Sequence, residues 1–81
     1  MKVRLRFFAS LREIIGCEEM EKDIAEGTTA GRIFEELVGE YPKLSSYTKV
    51  VQVAINQEFV DRQRLVESED EVAFLPPVSG G

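Results

Sequence analysis

The sequence predicts an α+β domain, a mixed β-sheet with one main amphipathic helix laid across it. Three observations carry this expectation. Residues 2–8 alternate Val3, Leu5 and Phe7 with Lys2, Arg4 and Arg6, and Val51, Val53 and Ile55 also alternate, the period of half-buried strands. Ala30, Ile33, Phe34, Leu37, Val38 and Tyr41 recur instead at three- and four-residue steps, the period of a helix with one apolar stripe. The chain has 81 residues, enough for one domain with a radius of gyration of about 12 Å. Helix and strands must therefore share one small core, which leaves little room for a deep interior pocket.

Each element has its own local reason. The first strand spans residues 2–8. Ser10 followed by Glu13 reads as a capping box, and Gly16 suits a helix stop, so Leu11–Ile15 is expected to be a short helix. Residues 18–25 are acidic, with Met20 and Ile24 as apolar points, and fit a second strand, hairpin-like beside the first. Gly27-Thr28-Thr29 forms a turn and a cap ahead of the main helix, which Pro42 follows. Lys43–Thr48 reads as a loop. Val51, Val53 and Ile55 make a β-branched strand, and Asn56-Gln57 turns the chain into a short strand around Phe59-Val60. Residues 61–70 are polar apart from Leu65 and Val66. Val72–Leu75 is the last strand, ended by Pro76-Pro77 because proline has no ladder donor. Two hairpin-like β units around one helix pack naturally as a β-grasp (ubiquitin-like) roll, with first and last strands parallel at the sheet centre. Residues 1–75 form this domain, and 76–81 an extended tail.

Composition narrows the chemistry. The chain has no His, which removes a histidine general base or zinc ligand. The single Cys17 cannot form an internal disulfide or a thiolate metal site; it reads as a passive thiol in a reducing compartment, and no metal is expected. Ten basic and 15 acidic residues give a net charge of −5, which argues against nucleic-acid binding. No apolar run approaches membrane-spanning length, and no signal peptide is evident; the expected setting is cytoplasmic. The acidic runs Glu18-Glu19, Glu35-Glu36 and Glu67–Glu71 read as solvated surface, or more sharply as steering charge for a basic partner. Tyr41 and Tyr47 read as packing or surface residues, and Asp70-Glu71 as part of a turn.

The chemistry concentrates in the tail. From Ala73 to Gly81 no side chain is charged, in a protein that is 31% charged. The six residues after Leu75 reach at most about 20 Å. Pro76 and Pro77 stiffen the root, Val78 and Ser79 continue the neutral stalk, and Gly80 and Gly81 strip the end of side-chain atoms. A carboxylate is a poor electrophile until it is converted to a mixed anhydride with AMP. A partner's narrow channel that encloses it tolerates no Cβ. On this reading the protein is substrate and carrier, with the chemistry on Gly81. A Gly-Gly terminus also arises by chance in about one chain in 200 at ~7% glycine; the Pro-Pro root and neutral approach separate this tail from that background.

The same alternation exposes a second feature. With Val3, Leu5 and Phe7 inward, Phe8 points outward; with Val72 and Phe74 inward, so does Leu75. If the two strands are parallel neighbours, Phe8 and Leu75 meet at the root of the tail, with Phe59 a candidate third member. Clustered exposed apolar side chains mark a docking surface; the alternative is that a bend or overlying loop buries them.

These residues resemble the molybdopterin synthase small subunits, the MoaD-like sulfur carriers of the ubiquitin-like superfamily. The resemblance rests on Val3-Arg4-Leu5-Arg6-Phe7-Phe8-Ala9 with Leu11-Arg12-Glu13, on Val53-Ala54-Ile55-Asn56-Gln57, and above all on the run from Asp70 to Gly81, Asp-Glu-Val-Ala-Phe-Leu-Pro-Pro-Val-Ser-Gly-Gly. Residues 17–50 carry little of it. It implies that an E1-like adenylating enzyme activates Gly81 with ATP and that a sulfur donor protein converts it to a thiocarboxylate. The tail then enters the large synthase subunit, where sulfur passes to cyclic pyranopterin monophosphate in molybdenum cofactor biosynthesis. It also implies a heterotetramer, no cofactor bound by the small subunit itself, catalytic residues on the large subunit, and an apolar docking patch at Phe8, Phe59 and Leu75. Related carriers and modifiers that serve tRNA thiolation, thiamine synthesis or lysine conjugation share the tail. A plain ubiquitin-like binding module with an idle tail is the alternative from a different class, and an autonomous enzyme the least expected.

Overall fold

Alternating side chains, a helical stripe and two tight turns build a five-stranded sheet with one long helix across it. The computed structural model describes residues 1–77. The strands are β1 (Lys2–Phe7), β2 (Glu19–Asp23), β3 (Gln52–Ile55), β4 (Glu58–Val60) and β5 (Glu71–Leu75); the helices are α1 (Ala9–Ile15) and α2 (Ala30–Glu40). The sheet order is β2-β1-β5-β3-β4. β1 and β5 are parallel, with Phe7 level with Phe74, and the other pairs are antiparallel. This is the mixed sheet expected of the β-grasp roll, and its Cα radius of gyration is 11.7 Å.

The core lies between one sheet face and the helices. Val3, Leu5, Phe7, Val53, Val72 and Phe74 from the strands meet Ala30, Ile33, Phe34 and Leu37 from α2. The ring of Phe74 lies 6.2 Å from Phe7 and 5.4 Å from Phe34, centroid to centroid. Thr29 caps α2 by accepting the Arg32 N–H at 3.1 Å, and Gly27 takes the turn before it at φ +84°. The helix ends at Glu40 because Tyr41 precedes Pro42, whose ring pushes it out of the helical region to φ −128°. Gly16 stops α1 at φ +92°.

Three local expectations need correction. The first strand ends at Phe7, although Phe8 keeps an extended backbone (φ −123°, ψ 150°). Ser10 is not a helix cap. Ala9 turns the chain at φ +51°, so α1 starts two residues earlier, with Phe8 at the cap position and no side-chain cap bond. The Ser10 hydroxyl instead accepts from Tyr47 Oη at 2.8 Å. Residues Lys43–Thr48 are mostly not loop but a 3-10 helix over Pro42–Tyr47, pinned by the fully buried Leu44. Arg62, within the polar stretch before β5, donates to the carbonyls of Thr48 and Val51 and so ties that stretch to the link between the 3-10 helix and β3.

The turn between β3 and β4 places Asn56 and Gln57 at φ +50° and +71°, the conformation of a two-residue hairpin loop that favours Asn-Gly. Gln57→Gly is therefore expected to raise stability by about 0.5 kcal/mol, by removing left-handed strain from a Cβ-bearing residue. Chemical denaturation checks it, and a loss of stability would show the position to be unstrained.

Candidate functional site

The sheet face turned away from α2 carries the candidate site. Register assembles it. Arg6 is level with Ala73, Ala73 with Ala54, and Ala54 with Phe59, so one cross-strand row runs Arg6–Ala73–Ala54–Phe59. One step toward the stem, Leu75 is level with Gln52. Phe8 follows Phe7, whose partner is Phe74, and its extended backbone turns its ring to the same outer face, beside Leu75.

The heights of these side chains shape the surface. Ala73 and Ala54 are buried, each 7% exposed, and form a low floor. Phe59 stands at one side with 70% of its surface exposed. Phe8, Leu75 and Pro76 are half-buried, and Pro77 is exposed. The result is an apolar shelf at the point where the stem leaves the sheet, with Phe59 the tallest exposed group on it. Large apolar groups around a shallow floor suit a protein partner better than a small ligand.

Of the residues singled out in the sequence, Phe8, Leu75 and Phe59 are therefore brought to one face by register, while Pro76 and Pro77 follow β5 as the root of the stem. Val78, Ser79, Gly80 and Gly81 lie outside the described residues. Arg6, Ala54 and Ala73 were missed. All three fall between core residues in their strands, so the period-two rule that exposed Phe8 also points them outward. The Arg6 guanidinium lies 5.1 Å from the Phe8 ring centroid, close enough for a cation–π contact. It also sits 3.9 Å from a Glu19 carboxylate oxygen and 3.8 Å from one of Glu71.

The acidic segment before β5 is organised at the opposite end of the sheet. Asn56 Nδ2 donates to Asp70 Oδ1 at 3.0 Å, the Glu67 N–H donates to Asp70 Oδ2 at 2.8 Å, and the Glu71 N–H donates to Asn56 Oδ1 at 3.0 Å. Asp70 is thus a turn-former, and Glu71 an ion-pair partner on the outer face. A groove of about 380 Å³ opens between the first half of α2, the Thr48–Val53 stretch and Arg62-Gln63. The first N–H groups of α2 beside it are already taken by Arg64 O, Arg62 O and Thr29 Oγ1, so they offer no anion site. Among the described residues no cluster of acidic or thiol side chains could hold a metal ion.

Comparison with known proteins gives a consistent picture. The model of the ThiS family matches residues 5–81. The chain is 31% identical over 81 residues to the molybdopterin synthase sulfur carrier subunit of Arabidopsis thaliana, covering 100% of this chain and 84% of that one. It is 34% identical over 84 residues to the subunit of the same name from Mycobacterium tuberculosis, covering 100% and 99%. Among solved structures, SAMP1 from Haloferax volcanii, a small archaeal modifier protein, matches with a TM-score of 0.81 at 28% identity over 100% of both chains.

Proposed function

Because the chain belongs to the ThiS family, and the curated relatives that span it are sulfur carrier subunits of molybdopterin synthase, we propose that it is the sulfur carrier of molybdenum cofactor biosynthesis. The structural observation that carries this reading is the parallel β1–β5 pairing, which sets Phe8 beside Leu75 at the root of an uncharged stem. A carrier needs both: a surface that a partner grips, and a reactive group held beyond it.

The chemistry follows from the stem. The Gly81 carboxylate attacks ATP on an E1-like adenylating enzyme, releasing pyrophosphate and giving an acyl adenylate. A sulfur donor protein then supplies sulfide-level sulfur, whose attack on the acyl carbon breaks the bond to phosphate, releases AMP and leaves a thiocarboxylate. The large synthase subunit takes the apolar shelf, draws the tail into its channel, and passes the sulfur to cyclic pyranopterin monophosphate. ATP belongs to the activating partner, and the catalytic side chains belong to the large subunit. Gly80 leaves the channel unobstructed, while Pro76, Pro77, Val78 and Ser79 form the stalk that spans it. No helix among the described residues is long and apolar enough to cross a membrane, and we place the cycle in the cytoplasm. A small-subunit pair on a large-subunit dimer is the assembly we expect.

The decisive experiment supplies the thiocarboxylated protein to the large subunit from the same organism with cyclic pyranopterin monophosphate. Formation of the dithiolene product is expected; its absence with an active large subunit overturns the acceptor. A second reading, attachment of the same carboxyl to lysines, is favoured by the likeness to a small archaeal modifier protein. Intact-mass analysis of protein from its own cell separates the two. One oxygen replaced by sulfur on the last residue marks the carrier, and isopeptide-linked adducts mark the modifier. Phe8→Ala is expected to weaken large-subunit binding by about tenfold or more, while costing under about 1.5 kcal/mol of stability because the ring is only half-buried. Titration calorimetry beside thermal unfolding checks this; a larger stability loss with unchanged binding would assign Phe8 to the core.

A further inference from the structure

Arg6 is out of place on an apolar shelf. It shares its row with Ala73, Ala54 and Phe59, and its side chain is 31% exposed. Two carboxylates flank it, yet at 3.8 and 3.9 Å both are ion pairs too long to be hydrogen bonds. Its Nε is shielded from solvent and has no hydrogen-bond partner among the described residues. Its charge is thus answered twice over by Glu19 and Glu71, while the N–H groups of the guanidinium other than the shielded Nε still depend on water.

A partner that covers the shelf removes that water. A guanidinium left with unpaired N–H groups under an interface is costly, whereas a planar fork beside an aromatic ring is a frequent anchor once its donors are met. A third carboxylate is the wrong acceptor: it would face Glu19 and Glu71, with Glu21 one pair further along β2, opposite Arg4. Resting on the docking reading above, we propose that Arg6 is a specificity-determining residue of this face. The large subunit meets it with an uncharged oxygen, a main-chain carbonyl or a side-chain amide. Partners that present a purely apolar or an acidic surface at this point are rejected.

The test measures binding of Arg6→Leu, Arg6→Lys and Phe8→Ala to the large subunit of the same organism, at low salt and at about 0.5 M salt, where exposed charge pairs are screened. Both Arg6 variants are expected to bind about tenfold more weakly. Lysine does not rescue, because it keeps the charge and loses the fork. The loss is expected to persist in high salt. Wild-type affinity in the Arg6 variants beside a weakened Phe8→Ala overturns this inference and leaves the docking face intact. A loss that vanishes in high salt, or is rescued by lysine, overturns the uncharged acceptor. Undiminished binding by all three variants overturns the docking face and this inference with it.

Discussion

One residue appended after Gly81 is expected to reduce sulfur transfer to the level of a reaction without carrier, while the folded domain and its affinity for the adenylating enzyme's docking surface persist. The reason is positional. The reactive carbonyl moves out of register with every catalytic group around it, and misplacement by about 1 Å already costs roughly 100-fold. Gly81→Ala is expected to lose about 100-fold or more by another route, a Cβ in a channel sized for glycine. Single-turnover assays with purified partners measure both. Full activity of the extended chain would mean that the carboxyl of Gly81 is not the reacting group, and would favour the idle-tail binding module. Loss of the folded state instead would make the tail a structural element.

The second large effect lies in the core. Phe74→Ala is expected to cost about 3–5 kcal/mol and to lower the unfolding midpoint by roughly 15–30 °C. Phe74 has no exposed surface, its ring packs between Phe7 and Phe34, and its strand is the middle one of five, so no neighbour can collapse into the space. Leu75→Ala, one residue on and facing outward, is expected to leave the fold nearly intact and to weaken docking. Unfolding and binding measured on the pair test the alternation itself. If Phe74→Ala costs less than about 1.5 kcal/mol, the strand does not face as described.

The contrast between these neighbours also shows what the sequence discloses. Alternation in Val3, Leu5 and Phe7 and in Val72 and Phe74 is enough to turn Phe8 and Leu75 outward, because one face is buried and a strand has a period of two. The place of Phe59 follows only once the two-residue turn at Asn56-Gln57 fixes the pairing of Ala54 with Phe59. The 3-10 helix left no trace, since Leu44 is its one buried residue and a single apolar point has no period. The early start of α1 depends on the left-handed backbone of Ala9, which alanine does not advertise. Arg6 reads locally as one more solvent-facing base; its half-buried setting appears only when β2 and β5 bring Glu19 and Glu71 alongside. The stalk from Val78 to Gly81 lies outside the described residues, and its role rests on its composition and on the family.

β5 is the last strand in sequence, yet it sits between β1 and β3, and the stem follows it directly. A chain released early by the ribosome, before Glu71, would leave β1 and β3 with no strand between them and Phe7 and Phe34 without Phe74. Such a fragment would be cleared by proteolysis rather than accumulate as a folded decoy. The topology thus acts as quality control: a molecule able to compete for the synthase has, by virtue of being folded, already been translated to the threshold of its stem.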